Sequence, residues 1–104
     1  MERKAFKMKL KRGFEAEYKR RHDAIWPEML AELRAAGISD YSIFLDPESL
    51  SLFAVQTRAD DSTADNLPQK AIVRRWWAYM KDIMDTNPDG SPISLPLTHV
   101  FHMD

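Results

Sequence analysis

The chain has 104 residues, 44% of them apolar and 30% charged, with a formal net charge of −1 at pH 7. That length implies one domain spanning 1–104, and the balanced, mixed charge excludes the electrostatic footprint of a nucleic-acid binder or of a protein drawn to an anionic membrane. The absence of cysteine excludes disulfides, thiolate nucleophiles and Cys-based metal sites; no apolar run approaches the roughly 18–20 residues of a membrane span, and no apolar signal region follows the charged start Met1-Glu2-Arg3-Lys4, so a cytoplasmic location is expected.

Residues 3–11 alternate, with Phe6, Met8 and Leu10 in one phase and Lys7, Lys9 and Lys11 in the other, which reads as a strand. Gly13 ends it. From Phe14 the period lengthens to that of a helix carrying Phe14, Tyr18, Ile25, Met29, Leu30 and Leu33. Pro27 costs about 3 kcal/mol in a helix interior but nothing at a first helical position. A break is therefore expected near Asp23–Trp26, with a second helix from Pro27 to about Ala36 and Gly37 as its cap. Tyr41, Ile43 and Leu45 alternate as a second strand, and Asp46-Pro47-Glu48-Ser49 is a turn. Leu50 to Thr57 then reads as a third strand, hairpin partner of the second. A polar stretch begins at Asp60, and Pro68 is expected to open a longer helix running to about Met84. Turn chemistry is dense from Asn87 to Pro92, and Leu97 to Met103 reads as a closing strand.

The order is β-α-β-β-α-β, an α+β, ferredoxin-like arrangement: a four-stranded antiparallel sheet with its helices on one face. Phe44, Phe53, Val55 and Val100 share a strand phase directed to the other face. A second copy packed sheet to sheet would hide them from water, so a homodimer is expected.

His22 leads the candidates for chemistry, since an imidazole titrates near neutral pH. Its place near a helix end also suits a merely structural histidine, whose charge favours the helix dipole. Tyr18, one turn earlier, shares its face, and the break before Pro27 leaves room for a pocket. Arg75-Trp76-Trp77-Ala78-Tyr79-Met80 concentrates aromatic mass on one helix. Adjacent tryptophans point about 100° apart, so they cannot be equivalent. An indole offers an apolar plane and one N–H, as a sugar face and its hydroxyls require. Tyr41 is read as a core-edge residue whose hydroxyl reaches a polar partner, a position compatible with lining a pocket. The pairs Arg20-Arg21 and Arg74-Arg75 are read as solvated helix faces. His99 and His102 fall in opposite phases of the closing strand, and no histidine pair has a metal-ligand spacing, so no metal is expected.

The segments Arg3-Lys4-Ala5-Phe6, Glu17-Tyr18-Lys19-Arg20-Arg21-His22, Ile25-Trp26-Pro27-Glu28, Tyr41-Ser42-Ile43-Phe44-Leu45-Asp46, Arg75 to Met80, Asn87-Pro88-Asp89 with Ser91-Pro92, and Val100-Phe101 together resemble the L-rhamnose mutarotase family over the whole chain. The resemblance implies a homodimeric assembly of the dimeric α/β-barrel type. It implies interconversion of the α and β anomers of L-rhamnose, or a related deoxy-pyranose, without a cofactor. It also implies an acid–base role for His22 and sugar contacts from Tyr18, Tyr41, Trp76 and Trp77. The segment Asp60 to Lys70 and the residue His102 depart from the family's pattern. The alternative that the fold alone admits is a cofactor-free monooxygenase or a haem-binding protein.

Overall fold

A computed structural model describes residues 1–104. Four strands, β1 (Glu2–Lys9), β2 (Ile38–Asp46), β3 (Ser51–Arg58) and β4 (Leu95–Pro96), form one antiparallel sheet in the order β2-β3-β1-β4. This is the ferredoxin-like arrangement read from the periodicities. The helices are α1 (Glu15–Asp23), α2 (Pro27–Ala35) and α3 (Ala71–Met80), with a 3₁₀ stretch at Ala64–Gln69. No helix is long and apolar enough to cross a membrane.

The break between α1 and α2 falls where the proline requires it. Pro27 opens α2 at its first position, and Trp26 before it is extended (φ −62°, ψ 134°), as a residue preceding proline must be. Gly37 follows α2 with φ +83°, the left-handed conformation that glycine adopts without strain.

One core lies between the sheet and its helices. Leu10, Leu52, Met80 and Ile83 are completely enclosed, each contributing about 1.5–3 kcal/mol of apolar burial. Met8, Leu52 and Ala54 supply the sheet side; Met29, Val73, Trp76 and Met80 supply α2 and α3. On β2 one extra residue is accommodated between Ser39 and Ser42, opposite Gln56 of β3. Asp40 takes φ +48° there. Such a bulge re-aims the neighbouring side chain, and here the neighbour is Tyr41.

Several expected boundaries are corrected. Leu50 belongs to the turn, at φ +64°, and the third strand starts at Ser51. Pro68 lies inside the 3₁₀ stretch instead of opening the long helix, which begins at Ala71 and ends at Met80. The tight 3₁₀ bonds satisfy the polar segment locally, and the extended Lys70 resets the direction of the chain.

The closing strand is the largest correction. It is two residues long and lies earlier, at Leu95–Pro96, and Leu97 to Met103 is in no ladder. Pro96 cannot donate to β1, and the bond from Leu97 N–H to Ala5 C=O is the last between the two segments. Val100 is therefore not on the sheet. With Phe101 and Met103 it stands at least three-quarters exposed (88%, 77% and 78%). His102 meets Arg3 instead of lying in a strand phase.

Gly37→Ala is expected to destabilise the fold. A Cβ there would lie 3.2 Å from the Ser62 Cα, at a φ of +83°, and strain of this kind costs about 1–3 kcal/mol. A lowered thermal midpoint checks it; an unchanged one contradicts it.

Candidate active site

Helix α1 places Tyr18 and His22 one turn apart, and their rings stack with centroids 4.3 Å apart and planes 28° from parallel. Tyr18 is buried and is the only residue of α1 that is. His22 is half-buried. Its Nδ1 lies 3.1 Å from the Tyr18 carbonyl oxygen. A carbonyl can only accept, so Nδ1 carries the proton and Nε2 of the neutral ring carries the lone pair. Burial moves the imidazole pKa below its ordinary value, against smaller opposing effects of that hydrogen bond and of Asp23. The ring is therefore uncharged at neutral pH and available as a base.

The edge contact of His22 is Trp76 of α3, with centroids 5.4 Å apart and planes nearly perpendicular (88°). Trp76 in turn meets Trp26 edge to face at 5.1 Å, and Trp26 stacks on Tyr79 at 5.5 Å. The result is a continuous aromatic surface running from Tyr18 through His22 to Trp76, Trp26 and Tyr79. Edge-to-face and offset geometries are those the ring quadrupoles favour.

Tyr41 enters from the sheet. Its ring meets Phe6 at 6.5 Å. A third of the residue is exposed, but its hydroxyl end lies beside the buried Gln56 and near Arg58. Burial pushes that hydroxyl up to about 12, with the Arg58 charge and Gln56 pulling against it. Burial likewise raises Tyr18, helped by the proximity of Tyr41. Both phenols thus stay protonated across the physiological range as hydrogen-bond donors. Gln56 is fixed in turn by Arg58, whose Nε donates to its Oε1 at 2.8 Å.

Of the five residues singled out in the sequence, Tyr18 and Trp76 each contact His22, and Tyr41 approaches Tyr18 from the sheet. Trp77 is not part of this surface. It is half-buried and packs at the margin of the core, as the angle between successive helical residues dictates. Trp26 and Tyr79 join the cluster without having been assigned to it. Their signal was the Ile25-Trp26-Pro27-Glu28 break, which turns Trp26 toward α3. Arg21 is also not on a solvated face: its side chain is only 10% exposed. A hollow of about 300 Å³ between α2 and α3, lined by Trp26, Glu28, Ile72 and Arg75, shares only Trp26 with the histidine cluster. No group of three or more His, Asp and Glu side chains comes together as a metal cluster would.

Fold and site together define a small ferredoxin-like protein with a neutral, half-buried imidazole set against an aromatic wall and two protonated phenols. Comparison with known proteins gives that class a family. The family model described as L-rhamnose mutarotase matches residues 3–103. An L-rhamnose mutarotase of Rhizobium johnstonii is 56% identical over 99% of this chain and 97% of its own. One from Bacteroides thetaiotaomicron is 55% identical over the full length of both. The crystal structure of L-rhamnose mutarotase from Formosa agariphila superposes with a TM-score of 0.93 at 49% identity, covering both chains completely. The chain belongs to the L-rhamnose mutarotase family, and with that its class of chemistry is isomerisation, not haem binding or oxygenation.

The two adjacent tryptophans are expected to separate in stability. Trp76 is 6% exposed, so Trp76→Ala is expected to cost about 3–5 kcal/mol, and Trp77→Ala less than half as much. Denaturant titrations of the two variants check the ranking, and equal losses would contradict it.

Proposed function

We propose that this chain interconverts the α and β anomers of L-rhamnopyranose, as one domain, with His22 moving the proton. The observation that carries the reading is the imidazole itself: uncharged, its Nδ1–H committed to the Tyr18 carbonyl, its lone pair on Nε2. Mutarotation removes the proton from the anomeric hydroxyl as the bond from C1 to the ring oxygen breaks, and the ring oxygen gains a proton. The open aldehyde then turns about C1–C2, and the reverse steps close the ring on its other face. Both oxygens are attached to C1, so one nitrogen can take the proton from the first and return it to the second. The reaction breaks and remakes one C–O bond within the sugar and exchanges only protons with the protein, so it needs no redox or group-transfer cofactor.

Tyr18 and Tyr41 are read as donors to sugar oxygens, and Trp76 as the apolar wall under the pyranose. The deoxy carbon of rhamnose is a methyl group, which an aromatic wall accepts more readily than a hydroxymethyl, whose hydroxyl would lose its water. Trp77, which the resemblance groups with these, packs against the core and makes no ring contact with the aromatic surface, so its claim is the weaker one.

His22→Ala is expected to lower the rate of anomer exchange by about 10²–10⁴-fold with the far-ultraviolet circular dichroism unchanged. Saturation-transfer NMR on L-rhamnose measures this, and exchange within threefold of the parent protein would remove His22 from the mechanism. The parent rate should be level through neutrality and should fall on acidification through the depressed imidazole pKa, where His22 takes up its second proton.

We infer in addition that the chain works as a homodimer. Phe44 is 63% exposed on the helix-free face of the sheet, with Phe53 and Val55 half-buried beside it. An apolar face of this kind is what a second copy would cover. Light scattering at micromolar concentration should give twice the chain mass, and Phe44→Asp should lower it. A monomeric parent, or a variant indistinguishable from the parent, would contradict the assignment of this face.

A further inference from the structure

Helix α1 carries His22 yet has little of its own to hold it in place. It is nine residues long and buries one of them, Tyr18. A helix of this length is marginal by itself, and one apolar anchor leaves it free to roll or tilt about that point. The residue next to His22 supplies what is missing. Arg21 reaches across to the C-terminal end of α3, where its Nη1 donates to the Tyr79 carbonyl oxygen at 2.6 Å and to Asp82 Oδ1 at 2.9 Å. Its Nη2 donates to Asp82 Oδ2 at 3.2 Å, and its Nε donates back to Glu17 Oε2 at 2.7 Å. The guanidinium carbon lies 4.4 Å from the centre of the Tyr79 ring. The Arg21 side chain is 10% exposed but that of Asp82 is 64% exposed, so what the clip contributes is its fixed geometry and not shelter of the charges from solvent screening. The planar fork satisfies a carboxylate, a carbonyl and an aromatic face at once. Tyr79 in turn contacts Trp26 and Trp76, the ring that His22 meets.

We propose that Arg21 is the positioning residue of the active site, the clip that fastens α1 to the end of α3 and so holds His22 against Trp76. The proposal rests on the reading of His22 as the acid–base group, but the spacing and contacts of the clip stand apart from it. Without the fork, α1 keeps its Tyr18 anchor and loses its second point of attachment. His22 then moves off Trp76 and gains water.

The groups that bear on the imidazole are Tyr18 and Asp23 from its own helix, the charges of Arg21 with Glu17 and Asp82, and from α3 the uncharged Trp76 ring. Charge and position can therefore be separated by choice of variant. Arg21→Lys keeps the positive charge but cannot make the fork. Asp82→Ala removes a negative charge, which by Coulomb's law alone would lower the His22 pKa. Displacement of α1 into water would raise it.

The test is an NMR titration of the His22 ring proton, assigned with His22→Ala, in the parent and in both variants, together with kcat and KM for L-rhamnose anomer exchange. Both variants are expected to shift the His22 titration upward, toward that of free imidazole, and to lower kcat at least tenfold with a smaller change in KM. A fall in melting temperature with an unmoved titration and kcat within twofold of the parent would make Arg21 a stabilising residue only and overturn the proposal. A downward shift in Asp82→Ala would overturn it as well, since it would leave only the electrostatic effect. Should His22→Ala retain activity, the acid–base reading fails, while the titrations of the two variants still decide whether the clip sets the ring's environment.

Discussion

Pro27 has no N–H to give to a helix passing through it, and its ring forces the residue before it out of helical conformation. A continuous helix from Glu15 to Ala35 would carry His22 and Trp26 four residues apart along one face, both directed at the same neighbour. Because α1 stops at Asp23 and α2 restarts at Pro27, the two side chains reach Trp76 from separate elements, His22 from α1 and Trp26 from the residue that precedes α2. Both meet it close to perpendicular. The aromatic wall is thus assembled around an interruption, and the residues that interrupt are few.

The division of labour between the helices follows. α2 and α3 are fixed by apolar burial through Met29, Val73, Trp76 and Met80, which is strong and indifferent to direction. α1 is polar outside Tyr18. Its ends carry charges that suit its dipole, with Glu15 and Glu17 in the first turn and Arg20 and Arg21 in the last. Hydrogen bonds from Arg20 and then Arg21 lower the Glu17 pKa to about 2, so the carboxylate that steadies Arg21 stays ionised well below neutral pH. The helix that carries His22 is therefore set by directional bonds, and the core beneath it by contact.

Patterns with a single period were legible in the sequence. β1 announces itself by lysines alternating with Phe6, Met8 and Leu10, and the α1–α2 break by one proline. The i, i+4 spacing of Tyr18 and His22 was enough to predict their shared face, and the structure stacks them. What could not be read depended on partners elsewhere in the chain. Alternation from Leu97 to Met103 gives strand character, but a strand needs a ladder, and pairing with β1 stops at the bond from Leu97 to Ala5. Pro68 is a permitted first residue of a helix and equally a resident of a 3₁₀ turn; the local sequence does not distinguish them. Arg21 reads like Arg20 beside it, two cations in a row, and only the position of Asp82 and Tyr79, some sixty residues later, takes one of them out of water.

The sheet order has a consequence for how the chain comes together. β1 is made first but lies inside the sheet, between β3 and β4, and its register with β3 pairs Glu2 with Arg58 and Lys9 with Ser51. The first strand to leave a ribosome must wait for nearly half the chain to follow before it has a partner, whereas β2 and β3 can close on each other across a short turn at once. Contacts so distant in sequence make ordering slow, and a waiting strand is a template for other chains. Lys7 and Lys9 in that strand, with Lys11 just beyond it, put a charge at every second position, so its like-charged copies repel one another while the hairpin is still being synthesised.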